Sequence, residues 1–215
     1  SIIMILFIQT FRFAAEPFFF AQEKKHESKK VYADVLKYFT ILSAFIFLSV
    51  MLYLDIVIHF LGESFHNEQG IAIIPILLMA NLFLGIYYNL SVWYKLTEKT
   101  SYGALLAILG ATITIALNVL LIPRIGFVGS AWATLICYLS MMLASLFLGR
   151  RHYPIPYDLK RIFSYIFLSF VFYKLSTLLK TGMLINTVYL VLFVLIVFLL
   201  EKSKKEIVSE PKLFD

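Results

Sequence analysis

Apolar runs long enough to cross a bilayer recur along the whole 215-residue chain, and only short polar connections separate them. A transmembrane α-helix needs about 20 mostly apolar residues. The composition agrees, because 61% of the residues are hydrophobic and 15% are charged, against about 25% charged in soluble proteins. The sequence therefore predicts an all-α, polytopic transmembrane helix bundle of about seven spans, approximately at 1–21, 33–61, 70–94, 101–122, 127–149, 160–180 and 184–200.

Basic residues are concentrated in alternate connections, which predicts how the chain crosses the membrane. The first, third and fifth connections and the C-terminal tail carry most of the lysines and arginines, whereas the connections between them carry only Arg124 and Lys180. Cytoplasmic loops of membrane proteins are rich in these residues. We therefore expect a multi-pass protein with a cytoplasmic C-terminus. The net charge of +6 is explained by contact with membrane lipids and requires no nucleic acid.

The chain begins at Ser1 inside an apolar run, without the basic segment that opens a signal peptide. A signal peptide is therefore a poor interpretation of this segment. We expect instead that the chain is part of a longer protein with further helices upstream.

Two ionisable residues interrupt the first apolar run. Arg12 and Glu16 are four residues apart, so that a helix places both on one face, with Gln9 above them. A charged side chain inside a membrane helix is costly and marks a functional site by default. The alternative is an intrahelical ion pair that only neutralises two charges between helices.

Further polar residues are candidates for the lining of a central cavity. Asn81 and Tyr88 share a face of the third span, where they either contact a substrate or bond to neighbouring helices. Lys37, near the start of the second span, either extends to the lipid headgroups or guides an anionic group at the cytoplasmic entrance. No phosphate-binding glycine loop, nucleophile elbow or metal-ligand spacing occurs. We therefore expect no catalytic residues, no metal and no cofactor.

Three stretches carry a resemblance to a known family. They are the first-span segment 11–20 (FRFAAEPFFF), the third-span segment 81–97 (NLFLGIYYNLSVWYKLT) and the segment 117–134 around Pro123 and Gly126 (LNVLLIPRIGFVGSAWAT). Together they resemble the C-terminal half of a bacterial polysaccharide biosynthesis protein, an oligosaccharide flippase of the multidrug/oligosaccharidyl-lipid/polysaccharide (MOP, MATE-like) exporter superfamily.

The resemblance implies a domain organisation. Residues 1–150 would form a partial C-terminal transporter lobe of five helices, and residues 151–215 would add two helices and a basic cytoplasmic tail. The N-terminal lobe of the same protein would supply the other wall of a central cavity.

The resemblance also implies a function and a location, the bacterial cytoplasmic (inner) membrane. The family moves a polyprenyl-diphosphate-linked oligosaccharide across that membrane by alternating access, without making covalent bonds. Arg12 would then contact the diphosphate, and Glu16 would be its resting partner or a site that couples transport to an H⁺ or Na⁺ gradient. The alternatives are an ion-coupled multidrug exporter of the same superfamily, or a membrane enzyme of polysaccharide assembly such as a polymerase or acyltransferase.

Overall fold

The structure is a computed structural model, and it describes residues 2–61 and 68–209. Within those ranges the chain forms nine α-helices and no strands. In chain order they are α1 (Ile2–Gln22), α2 (Ser28–Leu52), α3 (Leu54–Leu61), α4 (Glu68–Leu90), α5 (Val92–Leu96), α6 (Ser101–Ile125), α7 (Phe127–His152), α8 (Leu159–Leu179) and α9 (Met183–Ser209). The described residues do not include Ser1, at the start of the proposed transporter lobe, or residues 210–215, at the end of the proposed C-terminal segment.

Within the described ranges, seven helical segments are long and apolar enough to cross a membrane, which confirms the all-α polytopic class. Several boundaries differ from the sequence prediction. The predicted second span, 33–61, divides at Tyr53 into α2 and the short helix α3, and the third, 70–94, divides at Ser91 into α4 and α5. The predicted fourth span, 101–122, ends before Pro123, but α6 continues through this residue to Ile125.

Gly126 provides the turn between α6 and α7. Its φ of 61° lies in the left-handed region that favours glycine, and its N–H donates to Ile122 O at 2.9 Å. Pro123 lies inside α6, and the bond from Gly126 N–H to Ile122 O closes the last turn of the helix around it.

The central helix of the bundle is α2, which contacts α1, α4, α8 and α9. On one side, α4 packs along α7, and α7 packs along α6. On the other side, α8 and α9 pack against α2. The largest buried cluster lies where α2, α4 and α7 meet, around Phe47, Leu82 and Met142.

Small residues allow α6 and α7 to approach closely, as the glycine and alanine spacing of these segments predicts. A Cβ on Gly129 would lie 2.8 Å from the backbone of Leu121, so that only glycine fits there without displacement. At Gly110 the carbonyl accepts a hydrogen bond from Cys137 Sγ at 3.3 Å. The single cysteine is therefore a buried packing residue.

The seven long helices alternate in direction, which gives the bundle two distinct ends. We call the end where α1 finishes and α2 starts the basic end, because the connections rich in lysine and arginine lie there. Contacts across this end include Tyr32 Oη to Phe19 O at 2.9 Å and Tyr102 Oη to His152 Nε2 at 3.0 Å. The other end, where α2 finishes and α8 finishes, is called the opposite end.

Candidate anion-binding site

The two charges of the first span form an ion pair on the surface of α1. Arg12 Nε lies 2.9 Å from Glu16 Oε1, one helical turn further on. Their side chains are 40% and 38% exposed in the bundle. A charged pair that its own bundle does not cover is stable in a membrane helix only where further protein, water or lipid headgroups solvate it, because hydrocarbon would not.

A third charged group, which the sequence interpretation assigned only to a basic loop, completes the site. Lys95 in α5 places its Nζ 2.6 Å from the same Glu16 Oε1. The site therefore contains two cations on one carboxylate and has a formal charge of +1. A sequence signal for Lys95 existed, since it follows Tyr88 by seven residues and so lies on the same helical face.

Two residues of α4 form the base of the site. The guanidinium carbon of Arg12 lies 4.8 Å from the centre of the Tyr88 ring, within the range of a cation–π contact. Beside them is a small cavity of about 20 Å³, lined by the three charged residues and by Tyr88 and Asn89. That volume is enough for about one water molecule.

Asn89, which lines this cavity, has a side-chain hydrogen-bond acceptor without a partner among the described residues. Its Nδ2 donates to Gly85 O at 3.0 Å. Because the backbone carbonyl of Gly85 can only accept a hydrogen bond, the NH₂ group of the Asn89 amide, and not its oxygen, faces Gly85. Its Oδ1 is buried and has no hydrogen-bond partner among the described residues. A water molecule or a substrate hydroxyl in the cavity would satisfy this oxygen.

The remaining candidates from the sequence are not at this cavity. Gln9 lies on α1 about 10 Å before Glu16 along the axis, and it is not part of the cavity lining. Asn81 is buried one and a half to two turns before Tyr88, and its Nδ2 donates to Leu77 O at 2.8 Å within α4. The structure thus brings together Arg12, Glu16 and Tyr88 of the predicted set.

Lys37 belongs to a second ionic cluster, which we call the Glu201 cluster. Its Nζ lies 2.7 Å from Glu201 Oε2 of α9, and the lysine side chain is only 7% exposed. In the bundle this ammonium is therefore held in a buried ion pair, and its contact with headgroups or with an anionic group at the entrance stays a prediction. Glu201 Oε1 also accepts from Arg161 Nη1 at 3.0 Å and from Tyr165 Oη at 2.6 Å, both in α8.

Among the described side chains, no cluster of three or more histidine, cysteine, aspartate or glutamate residues could hold a metal ion. The fold and these two ionic clusters define a multi-pass α-helical membrane protein. No family model, curated protein or solved structure matches the chain.

Proposed function

We propose that the chain is part of a flippase that moves a polyprenyl-diphosphate-linked oligosaccharide across the bacterial cytoplasmic membrane by alternating access. The observation that supports this most is the excess of positive charge at the partly exposed α1 site, where Arg12 and Lys95 share Glu16. The resemblance of three segments to oligosaccharide flippases supplies the substrate class. The upstream lobe of the protein would cover the exposed face of α1.

The chemistry of a diphosphate explains why such a site is useful. An isolated anion in a hydrocarbon environment is strongly destabilised, and it must therefore meet cations on its path. Arginine stays charged and presents planar donors that pair with two phosphate oxygens. The bond from Arg12 to Glu16 is made through Nε, so the terminal amino groups of the guanidinium lie outside this bond.

Glu16 is then the resting partner of the two cations. An arriving diphosphate replaces the carboxylate at Arg12, and the carboxylate returns when the substrate leaves. Its location on the same helix, one turn away, lets this exchange occur through side-chain rotation alone. A carboxylate freed in each cycle also gives a place for a coupling proton or Na⁺.

The charge pattern supports a membrane orientation for the proposed flippase. With the basic end in the cytoplasm, Glu16 lies about 9 Å from the cytoplasmic end of α1, since it precedes Gln22 by six residues. The Arg12 site is therefore placed to receive a substrate from the cytoplasmic leaflet. The C-terminus would be cytoplasmic as well.

A multidrug exporter is less well supported by the same geometry. Export of organic cations requires a carboxylate that is available to the drug. Glu16 is instead neutralised by two basic side chains, and the site repels a cation. The membrane-enzyme alternative is not favoured by the carboxylates that the structure brings near one another, because Asp34, Asp158 and Glu201 are paired with Lys37 or Arg161.

The direct test replaces Arg12 by alanine and by lysine in the full-length protein. We expect Arg12→Ala to lower surface glycan by roughly 10- to 100-fold, the loss of one or two charge-assisted hydrogen bonds in the rate-limiting complex. Arg12→Lys should restore part of the activity because it keeps the charge but loses the bidentate geometry. Surface glycan and the amount of protein in the membrane are both measured.

Arg124→Ala is the matched control, because this exposed arginine ends α6 at the opposite end of the bundle. It should leave the glycan level unchanged. Normal glycan in the Arg12→Ala strain at a normal protein level would remove Arg12 from the pathway and with it the proposed function.

The orientation is tested by cysteine labelling in a Cys137→Ala background. Lys25→Cys at the basic end and Arg124→Cys at the opposite end are both exposed positions. A membrane-impermeant maleimide added to intact cells with a permeable outer envelope should label Arg124→Cys and leave Lys25→Cys unlabelled until the cells are opened. The reverse pattern would invert the topology.

A further inference from the structure

A second and larger cavity lies at the opposite end of the bundle. It has a volume of about 680 Å³ and is bounded by α2, α4, α7 and α8 together with the start of α3. Apolar side chains such as Met79, Trp132 and Phe170 form most of its wall. The volume is in the range of small-molecule and lipid sites, about 300–1,000 Å³.

Two ammonium groups reach this cavity from the end of α8. Lys174 and Lys180 both line it, and Lys174 Nζ lies 5.5 Å from the centre of the Tyr173 ring. Neither ammonium forms an ion pair or hydrogen bond with any side chain that the structure describes. Among the described residues that line the cavity, exposed Asp55 is the one acidic side chain, so these lining residues carry a formal charge of +1.

Several uncharged polar groups of the cavity are bonded to one another. Asn186 Oδ1 accepts from Ser176 Oγ at 2.8 Å and from Thr181 Oγ1 at 2.6 Å, and its Nδ2 donates to Leu52 O at 2.8 Å. These bonds join α9 to the ends of α2 and α8. The two lysine ammonium groups are the cations of the described lining and can select an anionic ligand.

An apolar groove continues from the cavity toward the basic end. It is formed by α4 and α8, has a volume of about 540 Å³, and shares Met79 and Phe170 with the cavity. Phe163 and Phe167 line it further along α8 and are exposed, and Lys160 lies at its end toward the basic end of the bundle. Phe163 to Phe170 covers about 10 Å along the helix axis, which is a large part of one leaflet.

We infer that this cavity and groove bind one anionic phospholipid, with its phosphate at Lys174 and Lys180 and an acyl chain along Phe170, Phe167 and Phe163. Positive charge at headgroup depth and an apolar groove below it match a phospholipid in both chemistry and direction. A soluble peptide would leave the lysines or the groove without a partner. The inference is independent of the proposed transport function, because it concerns the end of the bundle remote from Arg12.

Trp132 gives a local probe of this site. It lines the cavity and is 43% exposed, whereas Trp93 is 2% exposed near the basic end. Bromine on an acyl chain quenches tryptophan fluorescence only at short range. The part of the quenching that disappears in a Trp132→Phe variant therefore reports lipid at the cavity, whatever other tryptophans contribute.

The experiment places the protein in phosphatidylethanolamine vesicles that contain increasing fractions of brominated phosphatidylglycerol or brominated phosphatidylethanolamine. We expect Trp132 to be half-quenched at a mole fraction of the anionic lipid about fivefold lower than that of the zwitterionic lipid, the effect of one net charge near a lipid phosphate. Lys174→Gln combined with Lys180→Gln should abolish this preference. Lys24→Gln combined with Lys25→Gln, at the basic end, should preserve it.

Three results would overturn the inference. Equal quenching by the two lipids would show that the lysines select no headgroup. A preference that survives in the Lys174→Gln, Lys180→Gln variant would show that other groups, not these two lysines, select the anionic lipid. Absence of quenching by either lipid would show that protein, not lipid, fills the cavity.

Discussion

Two glutamates of this bundle accept from more than one basic side chain, yet their surroundings differ. Glu16 pairs with Arg12 and Lys95, and its side chain is 38% exposed. Glu201 pairs with Lys37 and Arg161, accepts a further bond from Tyr165, and is 16% exposed. Both lie toward the basic end of the bundle.

The difference indicates two uses of the same chemistry. Around Glu201 the charges come from three helices, α2, α8 and α9, and the cluster fixes how the last two helices dock on the central one. Around Glu16 the charges lie on the outer face of the bundle, next to a small cavity with the unpartnered Asn89 Oδ1. A closed cluster holds helices together, whereas an open one can exchange a partner.

The largest effect on stability is expected from Glu201→Gln. The substitution leaves the Lys37 ammonium buried with only Asp34, whose Oδ1 lies 3.2 Å from it, and it leaves Arg161 with only Asp158, whose Oδ2 lies 3.3 Å from Arg161 Nε. Removal of one partner of a buried ion pair leaves the other charge without full compensation. We therefore expect the free energy of unfolding to fall by roughly 3 kcal/mol. Thermal unfolding of the purified protein in detergent measures this loss.

The second half of this test is the double variant Lys37→Met, Glu201→Gln. Removal of both partners leaves no uncompensated charge at the α2 side of the cluster, so most of the lost stability should return. A double variant that is as unstable as the sum of the two single variants would show that the two side chains act independently. The cluster would then not be a device that joins α2 to α9.

The sequence predicts the parts of this structure that depend on local spacing. Helix length and hydropathy identify the seven spans, and the spacing of four residues places Arg12 beside Glu16. Breaks inside apolar runs were harder to predict. Tyr53 lies between two leucines and is neither glycine nor proline, so it gives no local signal for a break, although its hydroxyl lies 2.7 Å from Thr187 Oγ1 of α9.

Contacts between distant segments could not be derived from one sequence. Lys37 and Glu201 are both near helix ends, where an exposed lysine and an exposed glutamate are the usual finding, and nothing local marks them as partners. Lys95 is an intermediate case. Its helical register with Tyr88 could be read from the sequence, but its position in a basic connection indicated only how the chain crosses the membrane. The packing of α5 against α1 is what brings Lys95 to Glu16.

Glu16→Gln is expected to have a small effect on stability and a distinct effect on transport. Arg12, Glu16 and Lys95 are each partly exposed, and pairs of that kind contribute about 0–1 kcal/mol. The free energy of unfolding should therefore fall by less than about 1 kcal/mol, against the larger loss in Glu201→Gln. A loss as large as that of Glu201→Gln would show that the Arg12 site is also a closed structural cluster.

The transport readout of Glu16→Gln separates an exchanging partner from a passive one. If Glu16 competes with the diphosphate for Arg12, its neutralisation leaves both cations free, so the purified protein should bind lipid-linked oligosaccharide several-fold more tightly while surface glycan falls because release is slower. Glu16→Asp keeps the charge and should retain most of the activity. Unchanged binding together with unchanged glycan would mean that the carboxylate only neutralises its neighbours. Arg12 would then meet any substrate without displacement of Glu16, and the contrast between the two glutamates would be one of burial alone.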